Sequence, residues 1–183
     1  MTAVSEKTKL IIPYAGLPVI LAAMLLLRGG DTDAFILLLQ GMIIIFGYTA
    51  SVSDIKSKRI PNGLVLAMLA SWSLVMIPKL FFDVGGAASL MIDCLLGFVI
   101  GGGLFLIVYL VSRKGLGGGD VKFMAAAGLY LGWGGVLPAM LFGTILAALA
   151  GLTLIALKKI SRKDKIPLAQ FLYVGILITV FLR

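Results

Sequence analysis

Few residues in this chain could carry chemistry. Its 183 residues include no histidine and one cysteine, Cys94, and Glu6 is the single glutamate beside seven aspartates. A Ser-His-Asp triad, a Cys-His pair and an HExxH zinc site are therefore excluded. So are an internal disulfide framework and a cysteine-rich zinc module. Acid–base work falls to the aspartates, to lysine or to tyrosine.

The aspartates differ in their surroundings. Asp31, Asp33 and Asp83 fall in short loops between apolar runs and are expected to be solvated. Asp164 lies among Lys158, Lys159, Arg162, Lys163 and Lys165 and is expected to be a surface charge. Asp93 opens an apolar run and is expected at a membrane interface. Asp54 and Asp120 each sit in a distinctive sequence: Asp54-Ile-Lys-Ser-Lys-Arg-Ile-Pro-Asn62 and Gly117-Gly118-Gly119-Asp120-Val-Lys122. The glycines let backbone turn sharply and let another chain approach closely. Asp120 could simply cap the following helix, and Asp54 could simply end one. Two such aspartates at the same ends of apolar segments are a stronger signal than either alone.

The elements that position them must be membrane helices. The chain is 61% apolar and 13% charged, with a mean hydropathy of +1.13. Counted with its 23 glycines and without its 5 tyrosines, it is about 71% apolar, against roughly 45–50% in a globular domain. A soluble fold of this length has nowhere to bury that much apolar surface. Continuous apolar runs cover 10–27, 34–53, 63–82, 89–112, 136–157 and 168–182, with a shorter one at 120–133. They do not alternate as barrel strands would. The expectation is an all-α polytopic transmembrane helical bundle of six to seven membrane segments in one domain, 1–183. The run 10–27 is expected to be a retained span rather than a cleaved signal.

The net charge of +8 does not indicate nucleic acid, because the basic residues alternate with spans. Lys56, Lys58 and Arg59 share one loop; Arg113, Lys114 and Lys122 surround a second; the five cations at 158–165 fill a third. By the positive-inside rule the N-terminus and these three loops face the cytoplasm. Lys122 is expected to snorkel to the interface, the alternative being that it helps hold the surroundings of Asp120. Residues 123–157 form one apolar run that as a single helix would be about 52 Å long, against a hydrocarbon core of about 30 Å. A break at Gly132-Trp133-Gly134-Gly135 resolves this and restores the alternation. The helix 120–133 is then only about 21 Å long, so the glycine-rich loop before it is expected to dip into the membrane with Asp120. Small-residue pairs at Gly97/Gly101, Gly128/Gly132 and Ala147/Gly151 would permit close helix packing.

These residues resemble the type IV prepilin peptidases, a family of intramembrane aspartic proteases that includes preflagellin peptidases. Its members carry an aspartate followed by a short basic stretch ending in Ile-Pro-Asn, here Asp54…Ile60-Pro61-Asn62. They carry a second in Gly-x-Gly-Asp-x-Lys, here Gly117, Gly119, Asp120 and Lys122, opening a small-residue helix. Lys165-Ile-Pro167…Phe171…Gly175 resembles the closing motif, with Leu168-Ala169-Gln170 in place of the usual Phe-Gly-Pro. The resemblance covers about 34–182 and leaves 1–33 as an additional N-terminal span.

The resemblance implies that Asp54 and Asp120 are a catalytic pair. Two facing carboxylates share one proton rather than both ionising. One activates water and the other protonates the developing oxyanion, with no metal or cofactor required. It also implies a pilin-like or flagellin-like precursor as substrate, cut near its basic leader at the cytoplasmic face of a bacterial or archaeal membrane. Larger relatives carry a cysteine-rich insert linked to N-methylation. This chain has no CxxC, so cleavage without methylation is expected. A small transporter or channel using the aspartates as ion or proton sites, and a non-catalytic membrane scaffold, are the alternatives.

Overall fold

The computed structural model describes residues 16–30, 33–112, 116–158 and 166–183. They form six helices: α1 (Gly16–Arg28), α2 (Ala34–Ser57), α3 (Asn62–Phe82), α4 (Val84–Val111), α5 (Gly118–Ala156) and α6 (Ala169–Leu182). There is no strand among the described residues. Four helices, α2 to α5, are long and apolar enough to cross a membrane, whereas α1 and α6 have 13 and 14 described residues. The exterior is apolar: Leu26, Phe81 and Phe82 are more than four-fifths exposed, as suits side chains that meet lipid.

The 39-residue α5 is two helices joined at Gly132, whose φ of 67° and ψ of 176° interrupt it. Left-handed backbone of this kind is open to glycine and strained for other residues. The turn lies within the stretch where the sequence requires a break. The first arm, 118–131, forms the centre of the bundle. From Phe123 to Gly132 every residue is buried, the pattern of a helix enclosed on all sides. The arms pack chiefly on α4 and α6.

Lipid tails are as apolar as the side chains, so close packing rather than water exclusion must hold such helices together. Glycine supplies the packing here. A Cβ on Gly97 would lie 2.3 Å from the Gly128 carbonyl oxygen, and one on Gly128 would lie 2.1 Å from the Gly97 oxygen. A Cβ on Gly101 would come within 2.5 Å of the Met124 oxygen. On the other arm, a Cβ on Gly175 would lie 2.3 Å from the Ala139 oxygen. Gly132 serves both expected roles: it provides the turn, and its carbonyl carbon would lie 2.7 Å from a Cβ on Gly97.

Three aspartates expected as solvated or interfacial charges also accept backbone hydrogen bonds, and Asp33 and Asp83 are exposed as expected. Asp33 caps α2 by accepting from the Phe35 N–H at 2.8 Å. Asp83 caps α4 through the Gly86 N–H at 3.1 Å and lies 3.9 Å from Lys79. Asp93 accepts from the Trp133 N–H at 3.2 Å. Its carboxylate fills the space where a Cβ on Gly132 would stand, 2.0 Å away. The orphan amide of the second arm of α5 is thus satisfied. Asp31 and Asp164 lie outside the described residues, as do Arg113, Lys114 and the loop cations from 159 to 165.

Candidate active site

The last turn of α2 carries Asp54, and the chain then leaves the helix through Lys58 in the left-handed region, with φ 51°. The Lys58 N–H donates to the Asp54 carbonyl at 2.8 Å. The Ser53 hydroxyl donates to the Arg59 carbonyl at 3.0 Å, and the Ser57 hydroxyl lies 2.8 Å from the Ser53 carbonyl and 3.2 Å from that of Arg59. Ile60 precedes a proline, which disfavours helical backbone. Pro61 is extended and begins α3 as its N-cap. The stretch from Asp54 to Asn62 is therefore a closed loop with Ile60 turned inward, 8% exposed.

The first turn of α5 carries Asp120, whose N–H donates to the Gly117 carbonyl at 3.1 Å. The three glycines before it differ in what surrounds them. A Cβ on Gly117 would stand 2.7 Å from Asp120 Oδ2, so Gly117 leaves room for the carboxylate itself. A Cβ on Gly119 would stand 3.2 Å from the Ile60 Cβ, so Gly119 admits the loop of the first motif. Nothing lies within 4 Å of a Cβ on Gly118.

The two loops meet at one end of the bundle. Asp54 and Asp120 are 7% and 9% exposed, and their carboxylates lie within electrostatic reach of each other. Lys122 is exposed near the start of α5, and its Nζ donates to Asn62 Oδ1 at 3.1 Å, tying α5 to the start of α3. All eight residues singled out by the sequence (Asp54, Ile60, Pro61, Asn62, Gly117, Gly119, Asp120 and Lys122) belong to this one assembly.

A third segment enters through α6. The Ala169 N–H, at the helix start, donates to Asp54 Oδ2 at 3.0 Å. Free amides and the positive end of the helix dipole suit a carboxylate there. The donor is backbone, so the Leu168-Ala169-Gln170 variation leaves this contact intact. Sequence reading did not find Ala169 as a partner, because a main-chain donor leaves no residue signature beyond the absence of proline. Among the described residues no three His, Cys, Asp or Glu side chains gather to hold a metal ion. The arrangement offers two buried carboxylates, one of them anchored by a main-chain amide.

The sequence profile of the type IV leader peptidase family matches residues 41–152, which include both aspartates. The chain belongs to that family. Curated relatives are named prepilin leader peptidase/N-methyltransferase. The protein from Aeromonas salmonicida is 26% identical over 178 residues, covering 94% of this chain and 57% of the relative. That from Aeromonas hydrophila is 29% identical, covering 84% and 50%. That from Pectobacterium carotovorum subsp. carotovorum is 31% identical, covering 69% and 44%. The chain therefore spans about half the length of these relatives. No solved structure matches it. Family membership and the apolar helices together make this a multi-pass membrane protein.

Proposed function

We propose that this leader peptidase family member is an aspartic endopeptidase that removes the leader of type IV prepilin-like precursors, with Asp54 and Asp120 as its catalytic dyad. One observation carries the reading: two family-motif aspartates, far apart in sequence, are both buried and lie within electrostatic reach of each other at one end of a membrane bundle. In the mechanism, one carboxylate accepts a proton from a water that attacks the scissile carbonyl. The other gives its proton to the oxyanion; on collapse it recovers that proton, and the first gives the proton taken from water to the leaving amine. The Ala169 amide holds Asp54 Oδ2 as an acceptor, which leaves Oδ1 to take the water's proton, with Asp120 as the donor.

The substrate's apolar helix lies among the enzyme's lipid-facing helices while its leader stays in water. A basic leader gains nothing from the basic loops, so recognition rests on the apolar helix and on the dyad. The loops 54–62, 113–121 and 158–167 face the cytoplasm in this reading, where their cations also meet anionic lipid. Residues 34–182 form the peptidase core and 1–33 add a span. The chain cleaves without methylating.

Co-expression with candidate pilin-like precursors, in a host lacking other prepilin peptidases, tests this. The expected result is a precursor that migrates faster only when the chain is present. Failure across precursors that a known relative does process would count against the peptidase reading and favour ion transport by the same aspartates.

A further inference from the structure

At the end of the bundle opposite the aspartates lies a cavity of about 170 Å³. Helix direction fixes its place. α2 runs from Gln40 toward Asp54, and the first arm of α5 runs from Asp120 to the turn at Gly132, about 18 Å at 1.5 Å per residue. Arg28 at the end of α1, Gln40, Asp93, the turn at Gly132 and Arg183 line it. None of these takes part in the proposed peptidase chemistry.

The polar groups here are incompletely used. Arg28 donates through Nη1 to the Val180 carbonyl, and Arg183 donates through Nη1 to the Leu131 carbonyl at 2.8 Å. A guanidinium carries five N–H donors, and among the described residues each arginine uses one of them. Asp93 Oδ1 receives the Trp133 N–H, and no ion pair joins Asp93 to either arginine among the described residues. Among the described residues, the side chains that line the cavity therefore carry two cations and one anion. Gln40 is 7% exposed, and its Oε1 is buried without a hydrogen-bond partner. A buried acceptor left empty costs about 1–3 kcal/mol, so the site lacks a donor as well as an anion.

We infer that this cavity binds a phosphate group that carries a hydrogen-bond donor, held between Arg28 and Arg183 with its donor on Gln40. Guanidinium pairs suit phosphate oxygens. The volume is below the roughly 300–1,000 Å³ of pockets for whole drug-sized ligands and suits a headgroup. Both ends of a membrane bundle meet headgroup layers, and basic pockets between spans take up lipid phosphates. Phosphatidylethanolamine supplies a phosphate and an ammonium, and phosphatidylglycerol a phosphate and hydroxyls. Phosphatidylcholine has the phosphate without the donor. Inorganic phosphate, with its own hydroxyl, is the soluble source of the same chemistry.

Native mass spectrometry of the whole chain released from micelles tests this, with the three lipids bearing identical acyl chains and, separately, with inorganic phosphate. The ethanolamine or glycerol lipid should be retained about tenfold over the choline lipid, as loss of a bond to a charged group predicts. The double variant Arg28→Gln/Arg183→Gln should lower that retention about tenfold. Gln40→Leu, which leaves both arginines in place, should keep lipid bound but bring the lipids to equal retention. It thus tests the site even where the double variant fails to fold. Binding of inorganic phosphate that disappears in the arginine variant, with lipid retention unchanged by it, would assign the site to free phosphate. Retention indifferent to both arginines for every ligand, or equal retention of choline and ethanolamine lipids by the unaltered chain, would overturn the proposal.

Discussion

Asp54 and Asp120 are buried together, and the proposed chemistry needs both. Asp→Asn preserves shape but removes the exchangeable proton. Either substitution should reduce precursor cleavage to near background, and the double variant should be little worse than each single one, as for residues that act as a unit. Cleavage assays on membranes normalised for inserted protein check this, with Asp33→Asn as a control distant from the dyad. The rate should be bell-shaped in pH, its limbs belonging to the pair. A well-inserted Asp120→Asn protein that cleaves at the original rate would remove the aspartic mechanism. The glycines give a sharper contrast. Gly117→Ala puts a methyl 2.7 Å from Asp120 Oδ2, whereas Gly118→Ala meets nothing within 4 Å. The first should lose most activity and the second should keep it, although the sequence writes the two residues alike.

At the scale of the helices, backbone contact decides stability. Gly97→Ala and Gly128→Ala each force a methyl within 2.3 Å of a carbonyl oxygen on the facing helix. Each should destabilise the bundle by about 1–3 kcal/mol, the range for an overpacked core, seen as a lowered midpoint of thermal unfolding in detergent. Gly103→Ala, on the same helix and facing open space, should leave that midpoint unchanged. The alternation of basic loops made the break in α5 legible, since an unbroken helix would have been too long and would have carried the 158–165 cations to the wrong side. Its physical agent was not legible. Asp93 and Gly132 are 39 positions apart, and nothing in the pattern around Asp93 marks it as the acceptor for the Trp133 amide. The caps by Asp33 and Asp83 were missed for another reason: short acidic loops between spans look the same whether solvated or capping. Lys122 was read as a snorkelling cation because a basic residue at a span end usually is one, and its bond to Asn62 depends on a tertiary approach of α3 and α5.

For the molecule as a whole, the described helices place the aspartate pair and the arginine-lined cavity at opposite ends. The proposed orientation puts the aspartates on the cytoplasmic side. With Cys94 replaced, Ser57→Cys should resist an impermeant thiol reagent applied from outside, and Arg183→Cys should react. The reverse labelling pattern would separate the dyad from its proposed leader substrate. Mass spectrometry of a processed precursor should find a free, unmethylated N-terminus when this chain acts alone. A methyl group there would place transferase activity in these 183 residues, which hold one cysteine.

The open space at Gly118 has a practical side. A position that borders no other atom within 4 Å, two residues from Asp120, is an attachment point beside the proposed chemistry. Gly118→Cys, made in a chain without Cys94 and carrying a short photoactivatable probe, would report whatever polypeptide occupies the site during turnover. The same cysteine carrying a solvent-sensitive fluorophore would register the arrival and departure of substrate, converting a membrane reaction usually read from gels into one followed in real time.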